Sequence, residues 1–144
     1  MTPVPPGRIL AIDYGSRRVG LAITDPMQII AQGAGTLNND GALIDSIGRL
    51  VREQEVTLVV VGMPYAPDGG LGKKGEEVKG FIERLRPAVG VDLVTWDESF
   101  SSARAHGAFR EAGMKRKARQ QKGRVDEMAA RLLLQEYLES NDHR

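Results

Sequence analysis

Three acidic residues, Asp13, Glu98 and Asp126, stand in awkward places, and together they have the makings of a metal site. Asp13 closes the apolar run Ile9-Leu10-Ala11-Ile12. That run predicts a strand inside a sheet, where an unpaired carboxylate costs several kcal/mol to desolvate. Glu98 follows Val94-Thr95-Trp96-Asp97, at the carboxyl end of a strand, which is where ligand and catalytic groups gather in open α/β sheets. Asp126 opens a helical pattern in which Ala129, Ala130, Leu133 and Tyr137 lie on its own side, so it is turned toward the protein. Each has an ordinary explanation: a turn cap for Asp13, a solvent exit for Glu98, and for Asp126 a favourable helix dipole worth about 0.3 to 1 kcal/mol. Converging on one point, however, the three would repel one another and raise each other's pKa unless a cation neutralised them. Mg²⁺ or Mn²⁺ suits such oxygen donors and keeps water positions free for phosphate oxygens. Two ions about 3.5 to 4 Å apart would serve phosphodiester hydrolysis.

The elements that must position these acids follow from the hydrophobic pattern. Ile9–Asp13, Val19–Thr24 and Gln28–Leu37 read as three strands joined by short turns, Gly15-Ser16-Arg17-Arg18 and Asp25-Pro26, which makes them antiparallel neighbours. Asn38-Asn39-Asp40 supplies an N-cap to a helix with Leu43, Ile44, Ile47, Leu50 and Val51 at helical spacing. The β-branched run Thr57-Leu58-Val59-Val60-Val61 predicts a central parallel strand buried on both faces. A second helix carries Val78, Phe81, Ile82 and Leu85 and is expected to stop at Pro87. Val91–Trp96 makes the fifth strand, and two helices follow, the last of them amphipathic. The fold class is therefore α/β, with a mixed five-stranded sheet, an antiparallel meander plus parallel strands, flanked by helices.

The 144 residues suffice for one domain, drawn at residues 8–140 between a disordered N-terminal tail at 1–7 and a frayed tail at 141–144. The absence of cysteine excludes disulfides, thiolate zinc sites and cysteine nucleophiles. No apolar run is long enough for a bilayer, so the reading is a cytoplasmic protein with no membrane partner. A net charge of +1 argues for nothing by itself. Its distribution does, because Lys115, Arg116, Lys117, Arg119, Lys122 and Arg124 form a basic segment leading straight into Asp126. The stretch Gly113–Gly123 lacks apolar periodicity and reads as a basic loop able to bind phosphates. Each phosphate it neutralised would steepen the salt dependence of log affinity by about 0.7 to 0.9. Arg17 and Arg18 add charge beside the first turn, where Gly15 and Gly20 would permit positive φ and let backbone N–H groups approach a phosphate. Met63 to Gly72 reads as a flexible flap near the site. His106 and His143 do not make a metal pair.

Over nearly its whole length the chain resembles the YqgF family, also called RuvX, of Holliday-junction resolvases and pre-16S ribosomal RNA nucleases. The motifs that carry the likeness are Ile12-Asp13-Tyr14-Gly15-Ser16 with Val19-Gly20, Val60-Val61-Gly62-Met63-Pro64 with Asp68-Gly69, Asp97-Glu98, and Gly123-Arg124-Val125-Asp126. The resemblance implies a ribonuclease H-like fold, divalent metal, a nucleic-acid substrate, and metal binding and catalysis by Asp13, Glu98 and Asp126. Departures are Ser99 where arginine usually follows the acidic pair, Arg104 where glutamate is common, and Ala66 where asparagine is common. The sequence leaves RNA and branched DNA open as substrates, and junction resolution would call for a homodimer with paired sites. Two other readings compete: a non-catalytic RNA-binding factor, and a nucleotide-binding module, since Asp13-Tyr14-Gly15 with Gly20 also resembles the phosphate hairpin of actin-like ATPases. Metal-dependent cleavage separates the first reading from both.

Overall fold

The computed structural model of the chain describes residues 6–66, 68–97 and 122–140, the first four of the last span by backbone alone. Its elements are β1 (Arg8–Tyr14), β2 (Arg18–Thr24), β3 (Ala31–Asn38), α1 (Leu43–Glu53), β4 (Val56–Met63), α2 (Lys73–Val89), β5 (Asp92–Asp97) and α3 (Lys122–Ser140). The additional helix expected between β5 and α3 lies outside the described residues.

Five strands form one mixed sheet in the order β3-β2-β1-β4-β5. The first three are an antiparallel meander, while β4 runs parallel to both β1 and β5. As the β-branched run implied, β4 is interior, and Val59, Val60 and Val61 are fully buried.

Strand alternation sorts the side chains onto two different faces. On one, Leu10, Ile12, Tyr14, Val19, Leu21, Val59 and Val61 pack with Ile47, Phe81 and Leu85 of α1 and α2. Tyr14 stacks on Phe81 with ring centroids 4.4 Å apart. The opposite face carries Ile9, Ala11, Ala22 and Val60 against Ala130, Leu133 and Leu134 of α3. Small residues dominate this second face beneath the helix, so α3 lies close to the backbone of the meander. Its Tyr137 meets Trp96 of β5 edge-on at 5.6 Å.

Three boundaries differ from expectation, each for a local reason. β3 begins at Ala31 rather than Gln28. The Asp25 carboxylate accepts hydrogen bonds from the amides of Met27, Ile29 and Ile30, and Gln28 adopts φ 59°, so the chain is still turning there. Helix α2 continues through Pro87 to Val89 and ends on Gly90 in the left-handed conformation. A proline in the last turn forfeits one hydrogen bond, and the glycine then supplies the stop. At the start of α1 the cap position falls on Ala42 without a side-chain cap, and Asp40 acts earlier by accepting from the Ala42 amide at 2.9 Å. Within the span read as an N-terminal tail, Gly7 donates to the Pro26 carbonyl at 2.9 Å and accepts from Gln28 Nε2 at 3.1 Å.

Candidate functional site

The alternation that builds the two faces also aims Asp13. Ile9 and Ala11 point to the α3 face, and Asp13, two residues further along β1, continues their row at the open end of the strand. Across the antiparallel ladder Asp13 is paired with Gly20 of β2, and Tyr14 with Val19. Gly20 is where α3 crosses the sheet: a Cβ there would lie 2.0 Å from the Asp126 carbonyl oxygen and 3.0 Å from the Glu127 nitrogen. Only a residue without a side chain lets the first described turn of α3 rest on that strand. The bare position opposite Asp13 is thus the one that brings Asp126 to it, although the two acids lie at opposite ends of the chain.

Neither Gly15 nor Gly20 takes the positive φ expected of it. Both are needed for close approach instead, since a Cβ on Gly15 would lie 2.4 Å from the Arg18 carbonyl oxygen within the turn. That turn is clamped from outside by Asn39, whose Nδ2 donates to the Gly15 carbonyl at 2.7 Å and whose amide donates to the Arg17 carbonyl at 2.8 Å. The clamp holds two arginines with different roles. Arg17 is exposed. Arg18 shares the α3 face with Gly20, and its Nε lies 3.4 Å from Asp126 Oδ2, each side chain 30% exposed.

The electrostatics of Asp126 show a carboxylate short of partners. Its pKa is raised, first by burial and then by the negative charge of Asp13, while Arg18 and Lys74 pull the other way without winning. Asp126 is half-buried at the rim of the core, so a cation from solvent has access to it. Lys74, at the start of α2, is a contributor that sequence reading missed. Its only signal there was a lysine following the Met63–Gly72 loop, which nothing local distinguishes from a solvated charge. The loop read as a flexible flap closes on itself: Tyr65 bridges Leu71, the Ala66 amide donates to the Gly70 carbonyl at 2.8 Å, and Asp68 Oδ1 accepts from the Gly70 amide.

Of the acids singled out in the sequence, Asp13 and Asp126 come together, and Glu98 lies outside the described residues. So do Lys115, Arg116, Lys117 and Arg119, and the side chains of Lys122 and Arg124, together with Ser99 and Arg104. Among the described residues no group of three or more acidic or histidine side chains gathers around one point. The two carboxylates do fit the demands of Mg²⁺ or Mn²⁺. These hard cations bind through one or two carboxylates plus waters and substrate phosphates, and a half-buried acid whose pKa is raised by burial and by a second acid gains from that charge.

Comparison with known proteins fits this geometry. A family model described as RuvX, Holliday junction resolvase, matches residues 7–140. A protein of Chlorobium luteolum provisionally named a pre-16S rRNA nuclease is 42% identical over 140 residues, covering 95% of this chain and 97% of its own. A Bacteroides fragilis protein with the same provisional name is 39% identical over 136 residues, covering 92% and 96%. Among solved structures, T. thermophilus RuvC in complex with Holliday junction substrate superposes with a TM-score of 0.59 at 12% identity, covering 95% of this chain and 96% of the other. The Fowlpox virus resolvase bound to junction DNA gives 0.57 at 14% identity, covering 93% and 98%. At such identities the structural matches speak to the fold, which is the ribonuclease H-like arrangement of RuvC.

Proposed function

The chain belongs to the RuvX family, and from that premise we propose that it is a divalent-metal-dependent nuclease that hydrolyses phosphodiester bonds in structured nucleic acid. The observation that carries this reading is the meeting of Asp13 and Asp126 over Gly20, which leaves a half-buried carboxylate with its pKa raised by burial and by its neighbour. Asp13 and Asp126 would hold the cation, with Glu98 as the third acid, and two ions would serve the hydrolysis. Bound Mg²⁺ or Mn²⁺ supplies activation of water and neutralisation of phosphate charge. Arg18 keeps the Asp126 carboxylate oriented. Arg17 and the basic residues Lys115, Arg116, Lys117, Arg119, Lys122 and Arg124 hold the phosphate backbone.

The names of the relatives at about 40% identity favour precursor 16S ribosomal RNA as the substrate, and a cytoplasmic site of action is proposed with it. The family description and the junction-bound neighbours favour branched DNA and, with it, a homodimer. The test is a cleavage assay with the purified chain on single-stranded RNA, precursor 16S RNA, duplex DNA and a four-way junction, with Mn²⁺ or with chelator. Cleavage of precursor RNA or junction that requires the metal is the expected result. Binding without cleavage on every substrate would make the chain a non-catalytic factor instead.

A further inference from the structure

The ladder between β2 and β3 contains an irregularity that the carboxylate pair alone does not explain. Gly20 pairs with Thr36, but Ala22 pairs with Gly33, so β3 spends one residue more than β2 over this interval. This is a β-bulge, and Gly35 within it adopts φ 87°. Its amide is directed at α3, where Glu127 Oε2 accepts its hydrogen bond. The stem of the same side chain lies over Gly33: a Cβ there would come 2.8 Å from Glu127 Cγ and 2.6 Å from Cδ. The first described turn of α3 therefore has three seats on the meander. Its backbone rests on Gly20, the Glu127 stem on Gly33, and the Glu127 carboxylate on the bulge amide.

Consecutive helical residues point about 100° apart. Glu127 can thus be tied down on β3 while Asp126 faces β1 and Arg18. We propose that Glu127 is a positioning residue: by capping the β3 bulge it fixes the height and rotation of the helix turn that presents Asp126 to Asp13. The bulge is the matching half of the device, since its extra residue leaves the ladder and its amide is turned toward α3. Glu127 neither holds the cation nor touches substrate; it acts through Asp126. Its consequence for metal binding rests on the function proposed above, but the seating itself does not.

The experiment uses the full chain and its Glu127→Ala, Glu127→Gln, Gly33→Ala and Gly33→Ala/Glu127→Ala variants, at a temperature where circular dichroism shows each folded. Mn²⁺ affinity is read by calorimetry, and the seating by the NMR cross-relaxation between Gly20 Hα and the Glu127 amide. Groups that orient a metal ligand typically contribute about 10- to 100-fold in affinity. Glu127→Ala is expected to lose that much and to weaken the cross-peak. Glu127→Gln, which keeps an acceptor oxygen, retains most of both. Gly33→Ala displaces the Glu127 stem and mimics Glu127→Ala, whereas adding it to Glu127→Ala costs nothing further. A Glu127→Ala protein with wild-type Mn²⁺ affinity and an undiminished cross-peak overturns the proposal. So does a Glu127→Gln protein as impaired as Glu127→Ala, because the negative charge would then be acting directly. If the wild-type chain takes up no Mn²⁺, the metal-dependent function falls, and the cross-peak alone decides the positioning role.

Discussion

Asp25 and Asp126 are two aspartates beside the same pair of strands, and the structure treats them in opposite ways. Asp25 sits in the β2–β3 turn with its oxygens saturated from within: Ile30 and Ile29 donate to Oδ1 at 2.7 and 2.8 Å, and Met27 donates to Oδ2 at 3.1 Å. The Ile30 amide does most to hold its pKa below the usual value. Asp126 has one long contact to Arg18, a burial cost and an acidic neighbour, and its pKa moves up. A carboxylate whose lone pairs are already taken by backbone amides is a structural part. One left underprovided in a half-buried place is where a cation from outside gains most.

The sharpest way to break this comparison is to neutralise each acid. Asp126→Asn keeps the shape and removes the charge, and should lower Mn²⁺-dependent cleavage by more than about 100-fold, since even groups that merely orient metal ligands contribute 10- to 100-fold. Asp25→Asn should leave cleavage at the wild-type level. Equal losses in the two variants, measured as initial rates on the preferred substrate, would erase the distinction.

Next in size is the seat beneath Asp126. Gly20→Ala sets a methyl group against helix backbone, which cannot swing aside as a side chain tip could. A cost of about 1 to 3 kcal/mol in denaturant unfolding is expected from overpacking, with weakened Mn²⁺ binding. The same substitution at Gly41, which has nothing within 4 Å of its Cβ position, is the control and should do neither.

The smallest effect is the pH dependence of metal-free stability, and its sign differs between the two acids. The folded pKa of Asp126 lies above the ordinary 3.8. Its contribution is therefore full below 3.8 and is lost as pH rises through the raised value. Asp126→Asn should melt above wild type at neutral pH, with the advantage vanishing on acidification. The folded pKa of Asp25 lies below 3.8. Its contribution is present above that value and is lost as pH falls through the lowered one. Asp25→Asn should melt below wild type at neutral pH, with the deficit closing in acid. Calorimetric melting temperatures across this range, with chelator present, check both signs.

Much of the frame was legible in the residues because it is local. Alternation and β-branched runs place all five strands in order, and the helical stripes of α1, α2 and α3 name their buried sides. The pattern Ala129, Ala130, Leu133 and Tyr137 is enough to turn Asp126 inward. What escaped is non-local. Whether Gly20 provides a bend or a landing for another element depends on a helix about a hundred residues away, and nothing in its own neighbourhood distinguishes the two. Glu127 reads as one more first-turn acid until the β3 bulge is seen beside it, and Lys74 as one more solvated lysine. The late start of β3 was hidden for a related reason: Met27, Ile29 and Ile30 look like a strand, yet Asp25 gathers their amides into its turn and leaves their side chains exposed.

The contact between Arg18 and Asp126 joins residues 108 positions apart. During synthesis the meander emerges first and α3 last. A chain released early, or clipped ahead of that helix, would carry Asp13 on its sheet without Asp126 beside it. On the proposed function such a fragment would lack one of the two described carboxylates that hold the cation, which ties the onset of cleavage to the arrival of the last helix.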